Sequence, residues 1–215
     1  MSILVIPSQN QEKILTGVRA RDADNNFYFI SCEADLHAVN PRETGKTYCT
    51  LYITPDRHLI GDKSIDCFVP DMKTLKESGT EYNIRPIYAY RDSSRLSLSI
   101  LPLCSDFDSD IVGFAVCTHK SVLDAGYEDH DWESRAVDII IDELAAYQEY
   151  LNGKAKYLTL YQYDSVTQKW VVVDSIGSCY GIERMSDIAS VFFESDAVSI
   201  YSDPDEIIIA HESNL

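Results

Sequence analysis

Basic residues are scarce in this chain. Only 18 Lys or Arg stand against 35 Asp or Glu, for a formal net charge of −17 over 215 residues. A chain of that sign repels nucleic-acid phosphates and anionic lipid, so direct binding to either is a poor reading. Long apolar runs are missing as well. No stretch approaches the ~20 consecutive apolar residues of a membrane helix. The opening Met-Ser-Ile-Leu-Val-Ile-Pro lacks the basic and longer apolar regions of a signal peptide. A cytoplasmic protein is therefore expected.

The motifs of common chemistry are absent too. Six cysteines occur, Cys32, Cys49, Cys67, Cys104, Cys117 and Cys179, but none forms CxxC and no Cys or His pair has zinc spacing. Reduced, mostly buried thiols are expected. His37, His58, His119, His130 and His211 are scattered, outside HExxH. There is no GxSxG, and Gly177 and Gly181 fit neither a phosphate loop nor a dinucleotide fingerprint. Asp106, Asp108 and Asp110 alternate like the start of a calcium loop. Counted from Asp106, however, the required Gly and Glu positions hold Ile111 and Cys117. No cofactor and no metal are expected.

What is present is an ordinary globular composition, 45% apolar and 25% charged, with acid concentrated in two stretches. Residues 101–150 carry 12 acids and 2 bases, and residues 183–215 carry 8 acids and 1 base. Residues 1–100 nearly balance, with 13 acids and 12 bases, as do residues 151–182, with 2 and 3.

The apolar pattern predicts strands at Ile3–Ile6, Thr47–Ile53 and Ile111–Thr118, the last central. It predicts hairpins at Gly17–Ala20 with Phe27–Cys32, at Ile84–Tyr90 with Leu96–Leu101, and at Tyr157–Tyr163 with Lys169–Asp174. Closing strands are predicted at Val198–Tyr201 and Glu206–Ala210. Asp71–Ser78, capped by Asp71, a segment from Ser121, and Ile182–Phe193 read as short helices. Asp131–Asn152 is the one long helix. At 100° per residue, Ala136, Val137, Ile140, Leu144, Tyr147 and Leu151 form its buried stripe, while Asp131, Asp138, Asp142 and Glu149 fall roughly opposite. The expected fold is α+β: a mostly antiparallel sheet with one long helix and one or two shorter ones. It spans residues 1–215 as a single domain, with a possible sub-division into 1–126 and 127–215.

Several segments in order resemble a family of uncharacterised proteins common in bacteriophages and mobile elements. They are Asn40-Pro41-Arg42-Glu43, Leu59-Ile60-Gly61-Asp62, Pro86-Ile87-Tyr88-Ala89-Tyr90 with Leu96-Ser97-Leu98-Ser99, Phe107-Asp108-Ser109-Asp110-Ile111-Val112-Gly113-Phe114, Glu149-Tyr150-Leu151-Asn152-Gly153, and Asp174-Ser175 with Tyr180-Gly181. The resemblance implies phage or mobile-element origin and carries no assigned activity.

Charge and resemblance together lead to an expectation. The chain would be a phage-type inhibitor that mimics DNA and binds a basic, nucleic-acid-handling host protein, such as a restriction, CRISPR or other defence component. Like charges at i,i+4, such as Asp138 and Asp142, cost helix stability, so their retention points to use. Asp131, Asp138, Asp142 and Glu149 would make the contact, with Asp106, Asp108 and Asp110 beside them. Two other classes compete. One is a hydrolase-like enzyme with a pocket of Arg42, Glu43, Arg91, Asp92 and Asp108. The other is a virion or assembly component, which would form a large symmetric oligomer.

Overall fold

The computed structural model describes residues 2–7, 12–44, 47–54, 61–92, 95–102, 110–194, 197–201 and 207–209. In chain order the elements begin β1 (Ser2–Pro7), β2 (Glu12–Asp22), β3 (Phe27–Ala34), β4 (Cys49–Ile53), β5 (Lys63–Ser64), α1 (Phe68–Glu77), β6 (Tyr82–Asp92) and β7 (Arg95–Ser99). They continue with β8 (Asp110–Thr118), α2 (His119–Asp124), α3 (Trp132–Leu151), β9 (Lys156–Asp164), β10 (Lys169–Cys179), α4 (Met185–Ser190), β11 (Val198–Tyr201) and β12 (Ile207–Ile209). The fold class is α+β, with sheets that are mainly antiparallel and one long helix. Among the described residues, three shorter α-helices accompany it, one at each of the three segments read as short helices.

The chain divides into two units, one made of Met1–Ala38 with Gly153–Leu215 and the other of Val39–Asn152. The expected sub-division at 126/127 thus moves, because α3 closes the second unit instead of opening another. Three hydrogen bonds explain the placement. Asn152 at the end of α3 holds the backbone of Leu96 on both sides, its Oδ1 accepting from N at 2.9 Å and its Nδ2 donating to O at 2.7 Å. Just beyond it, Ala155 O accepts from Asp35 N at 2.9 Å, which returns the chain to the first unit.

The first unit is a seven-stranded sheet in the order β10-β9-β3-β2-β1-β12, with β11 also on β2. The length of β2 makes this possible: Glu12–Gly17 pairs with β1 and Arg19–Asp22 with β11. Alternation along the strands sorts side chains between two faces. Val18, Ile30, Leu158 and Leu160 pack under Ile188 and Ala189 of α4. Leu4, Leu15, Phe29 and Tyr161 pack with Trp170 on the other face. The predicted hairpin of Gly17–Ala20 with Phe27–Cys32 is present, with Asp24-Asn25-Asn26 in its turn. Asn25 has a positive φ of 64°, and Asp22 Oδ1 accepts from Asn26 N at 2.8 Å.

The second unit is a five-stranded sheet, β5-β4-β8-β6-β7, with the apolar β8 in the middle as its sequence predicts. One face carries Cys49, Leu51, Ile53, Ala115, Cys117 and Ile87 against Ala136, Ile139, Ile140, Leu144 and Tyr147 of α3. The stripe predicted for α3 holds at Ala136, Ile140, Leu144 and Tyr147. Val137 and Leu151 are only half-buried, and Ile139 joins the core instead. Gly113 pairs with Ile53 beside a register shift, where a Cβ would lie 2.0 Å from Tyr52 O, so no larger residue fits unless the strands part. On the other face, Phe68 of α1 stacks on Phe114 at 4.6 Å and meets Tyr52 edge-on at 5.4 Å. This contact starts α1 at Phe68, three residues before the predicted Asp71. Asp71 is not the cap: its Oδ2 accepts from Tyr52 Oη at 2.8 Å and from Lys63 Nζ at 2.6 Å.

Candidate functional site

The long helix α3 carries both the anchor of the second unit and its exposed acid. The anchor is built around Arg42. Its guanidinium grips Asp62 through Nε, at 3.0 Å to Oδ1, and through Nη2. Nη2 also donates to Cys49 O at 2.6 Å, and Nη1 pairs with Glu143 of α3. Glu143 Oε1 accepts from Tyr48 N at 2.6 Å, and Asp62 Oδ2 accepts from Leu51 N at 2.8 Å. Helix, loop and the start of β4 are thereby tied into one network with almost no solvent access to Arg42. Burial pulls the Arg42 guanidinium down, but its hydrogen bonds and charge pairing with Asp62, together with Glu143, hold it above its usual value. Cys49 and Cys117 sit opposite each other on β4 and β8. Burial first, and Glu143 second, pushes the Cys117 thiol up to about 12 and Cys49 well above its usual value. Neither is poised as a thiolate nucleophile.

Among the described residues, Arg42 and Glu43 do not share a pocket with Arg91 and Asp92. β4 and β6 both run antiparallel to β8, so their starts lie at the same end of the sheet. Arg42 binds at that end, beside Cys49, whereas Arg91 and Asp92 close β6 at the other. From Asn83, in the same row as Cys49, to Arg91 is roughly 26 Å at ~3.3 Å per residue. Asp108 lies outside the described residues. A concavity between α1 and the sheet, lined by Tyr48, Thr50, Tyr52, Lys63, Asp71 and Thr74, has its charged pair already joined to Tyr52.

The acidic stripe is arranged differently from the expectation. Arg135 lies between two of its members, with Nε 3.0 Å from Asp131 Oδ2 and Nη1 3.2 Å from Asp138 Oδ2. Asp138 is therefore compensated by Arg135, which weakens the argument that its like pair with Asp142 is retained for use. Asp142 is exposed and Glu149 is half-buried. Asp110 does not sit beside Asp131. It opens β8 opposite Ala89, while α3 begins near Asn83, whose Nδ2 donates to Glu133 O at 3.4 Å at the far end of β6. Asp106 and Asp108 lie outside the described residues.

Other acids, not singled out by helical periodicity, gather where α3 begins. Glu128 and Asp129 expose 82% and 76% of their side chains in the turn before the helix, and Glu133 is exposed in its first turn. Glu81 joins them through His119. The His119 ring stacks on Trp132 at 5.0 Å, with Nδ1 3.1 Å from Glu81 Oε2 and Nε2 facing Asp129. The link between Glu81 and Asp129 spans 48 positions of sequence, so no local spacing reveals it.

Compared with protein-family models, curated proteins and solved structures, the chain matches none.

Proposed function

We propose that this chain is a phage-type inhibitor that mimics DNA: an acidic binding protein whose long helix presents carboxylates to a basic groove of a nucleic-acid-handling host defence protein. The observation that carries the reading is the grouping of exposed Glu81, Glu128, Asp129 and Glu133 at the start of α3, continued along it by Asp138 and Asp142. The described bases among them, His119, His130 and Arg135, each already face these same acids or Asp131. Acid fixed on a helix is ordered before binding, which lowers the entropic cost of association. The buried Arg42–Glu143 network and the bonds from Gln148 and Asn152 to β7 provide that rigidity. An interface of this kind forms quickly and weakens as salt rises. In this role no bond is made or broken.

The test is a pull-down from host lysate followed by binding to the captured protein at increasing salt. Reversal of Glu133, Asp138 and Asp142 to Lys is expected to abolish binding while the far-UV circular dichroism remains that of the folded chain. If the triple variant binds and inhibits like wild type, the acid is a solvated face and the reading fails.

A further inference from the structure

Among the described residues, the outermost strand of the seven-stranded sheet, β10, is paired only on its β9 side. Its middle reads Val171-Val172-Val173, exposed by 49%, 57% and 53%. Successive strand residues point to opposite faces, so exposed Val171 and Val172 make this edge apolar on both sides, with exposed Val173 beside them. Among the described residues, no side chain bonds the backbone of these three. Other edges are treated differently. β7 receives Gln148 and Asn152 from α3, and β12 and β5 are only 3 and 2 residues long. β10 runs for 11 residues. A long, bare, apolar edge is a template for another strand.

We propose that β10 pairs with β10 of a second copy of this chain, antiparallel about a two-fold axis through Val171, joining two seven-stranded sheets into one. Charge selects a second copy as the occupant in two ways. Two chains of net charge −17 repel, but residues 151–182 carry 2 acids and 3 bases, so repulsion is least at the β9–β10 hairpin. The register is also self-complementary. Val172 pairs with Tyr161 and Asp174 with Leu160, which leaves Val173 as the extra residue of a bulge. Counted in ladder steps, Lys169 and Asp174 are equally far from Val171. Their partners on β9 are Asp164, Gln162 and Leu160, spaced by two, so Lys169, Val171 and Asp174 share one face. A two-fold at Val171 therefore sets Lys169 of each copy opposite Asp174 of the other, and Trp170 opposite Val172. The dimer gains two identical ion pairs from one strand.

Sedimentation velocity on the full chain, from micromolar to millimolar, tests this. A concentration-dependent dimer is expected. Lys169→Glu and Asp174→Lys should each weaken it about tenfold or more, since each replaces two attractive pairs with two repulsive ones. The double variant should restore it. A Val171→Cys variant supplies an independent readout: residues facing each other across an antiparallel ladder are about 4.5–5.5 Å apart at Cα, within disulfide reach, so mild oxidation should cross-link it. Val166→Cys, at the hairpin tip, should give no more cross-link than wild type. A monomer at every concentration overturns the proposal. So does a dimer that neither reversal weakens, that the double variant fails to restore, or that Val171→Cys does not cross-link.

Discussion

The two sheets of this chain end differently. On β7, Gln148 accepts from Leu98 N at 2.6 Å and Asn152 holds both backbone groups of Leu96, so α3 supplies the partners that a further strand would supply. On β10 the valines stand bare. The difference follows from where the helices lie. α3 is 20 residues long, and its last turns reach the β7 edge. α4 is 6 residues long and buries Ile188 and Ala189 over Val18, Ile30 and Leu160, on the face of the sheet and away from its edge. Of these two edges, the closed one is the one a long helix reaches, and that helix also carries the exposed acid.

The largest way to break that contrast is to cut the long helix loose. Arg42→Ala leaves Glu143 and Asp62 without their shared cation and should cost about 3–5 kcal/mol, read from urea unfolding of the second unit. Leu144→Ala empties a buried position facing the sheet and should cost about 2–5 kcal/mol in the same measurement. Asn152→Ala should cost less, about 1–3 kcal/mol, because it strips two bonds from the backbone of Leu96. Hydrogen exchange at Leu96 should rise with it, while β10 amides stay as they were.

A smaller effect sharpens the other side of the comparison. Asp187 accepts from Arg184 N at 2.7 Å and from Glu183 N at 3.2 Å, and these backbone bonds, the Arg184 one foremost, hold its carboxyl below the usual value against the opposing effect of burial. A carboxyl lowered in the folded state stabilises above its unfolded pKa of about 3.9, and that contribution is lost as pH falls through the folded value. Amide shifts of α4 should therefore move below about pH 4, and Asp187→Asn should remove that step.

Much of this was legible in residue order because it is local. Strand-like runs around turn residues located β3, β6 and β9, and the 3.6 period of Ala136, Ile140, Leu144 and Tyr147 located α3 and its buried side. What stayed hidden depends on distant partners. Glu143 reads as one more acid on α3 until Arg42, 101 positions earlier, is brought against it. Asp71 reads as a helix cap until Lys63 and Tyr52 claim it. Two pairs of the ordered motifs meet in space: Arg42 with Asp62, and Leu96 with Asn152. In both cases the meeting pins the scaffold, and a cavity lined by Leu98, Ser99, Leu144 and Gln148 opens beside the second. Helical periodicity found Asp142, but the grouping of Glu81 with Glu128 and Asp129 exists only once His119 bridges β6 to the turn before α3.

The most direct test of the acidic helix is competition. The protein captured from host lysate is bound to labelled duplex DNA, and the chain is titrated in at several salt concentrations. If the face of α3 occupies a groove built for phosphates, the chain displaces the duplex. Its apparent affinity then falls as salt rises, and the Glu133, Asp138 and Asp142 reversal displaces none. Displacement by the reversed variant as effective as by wild type, or a captured protein that holds DNA and the chain together, would contradict the account.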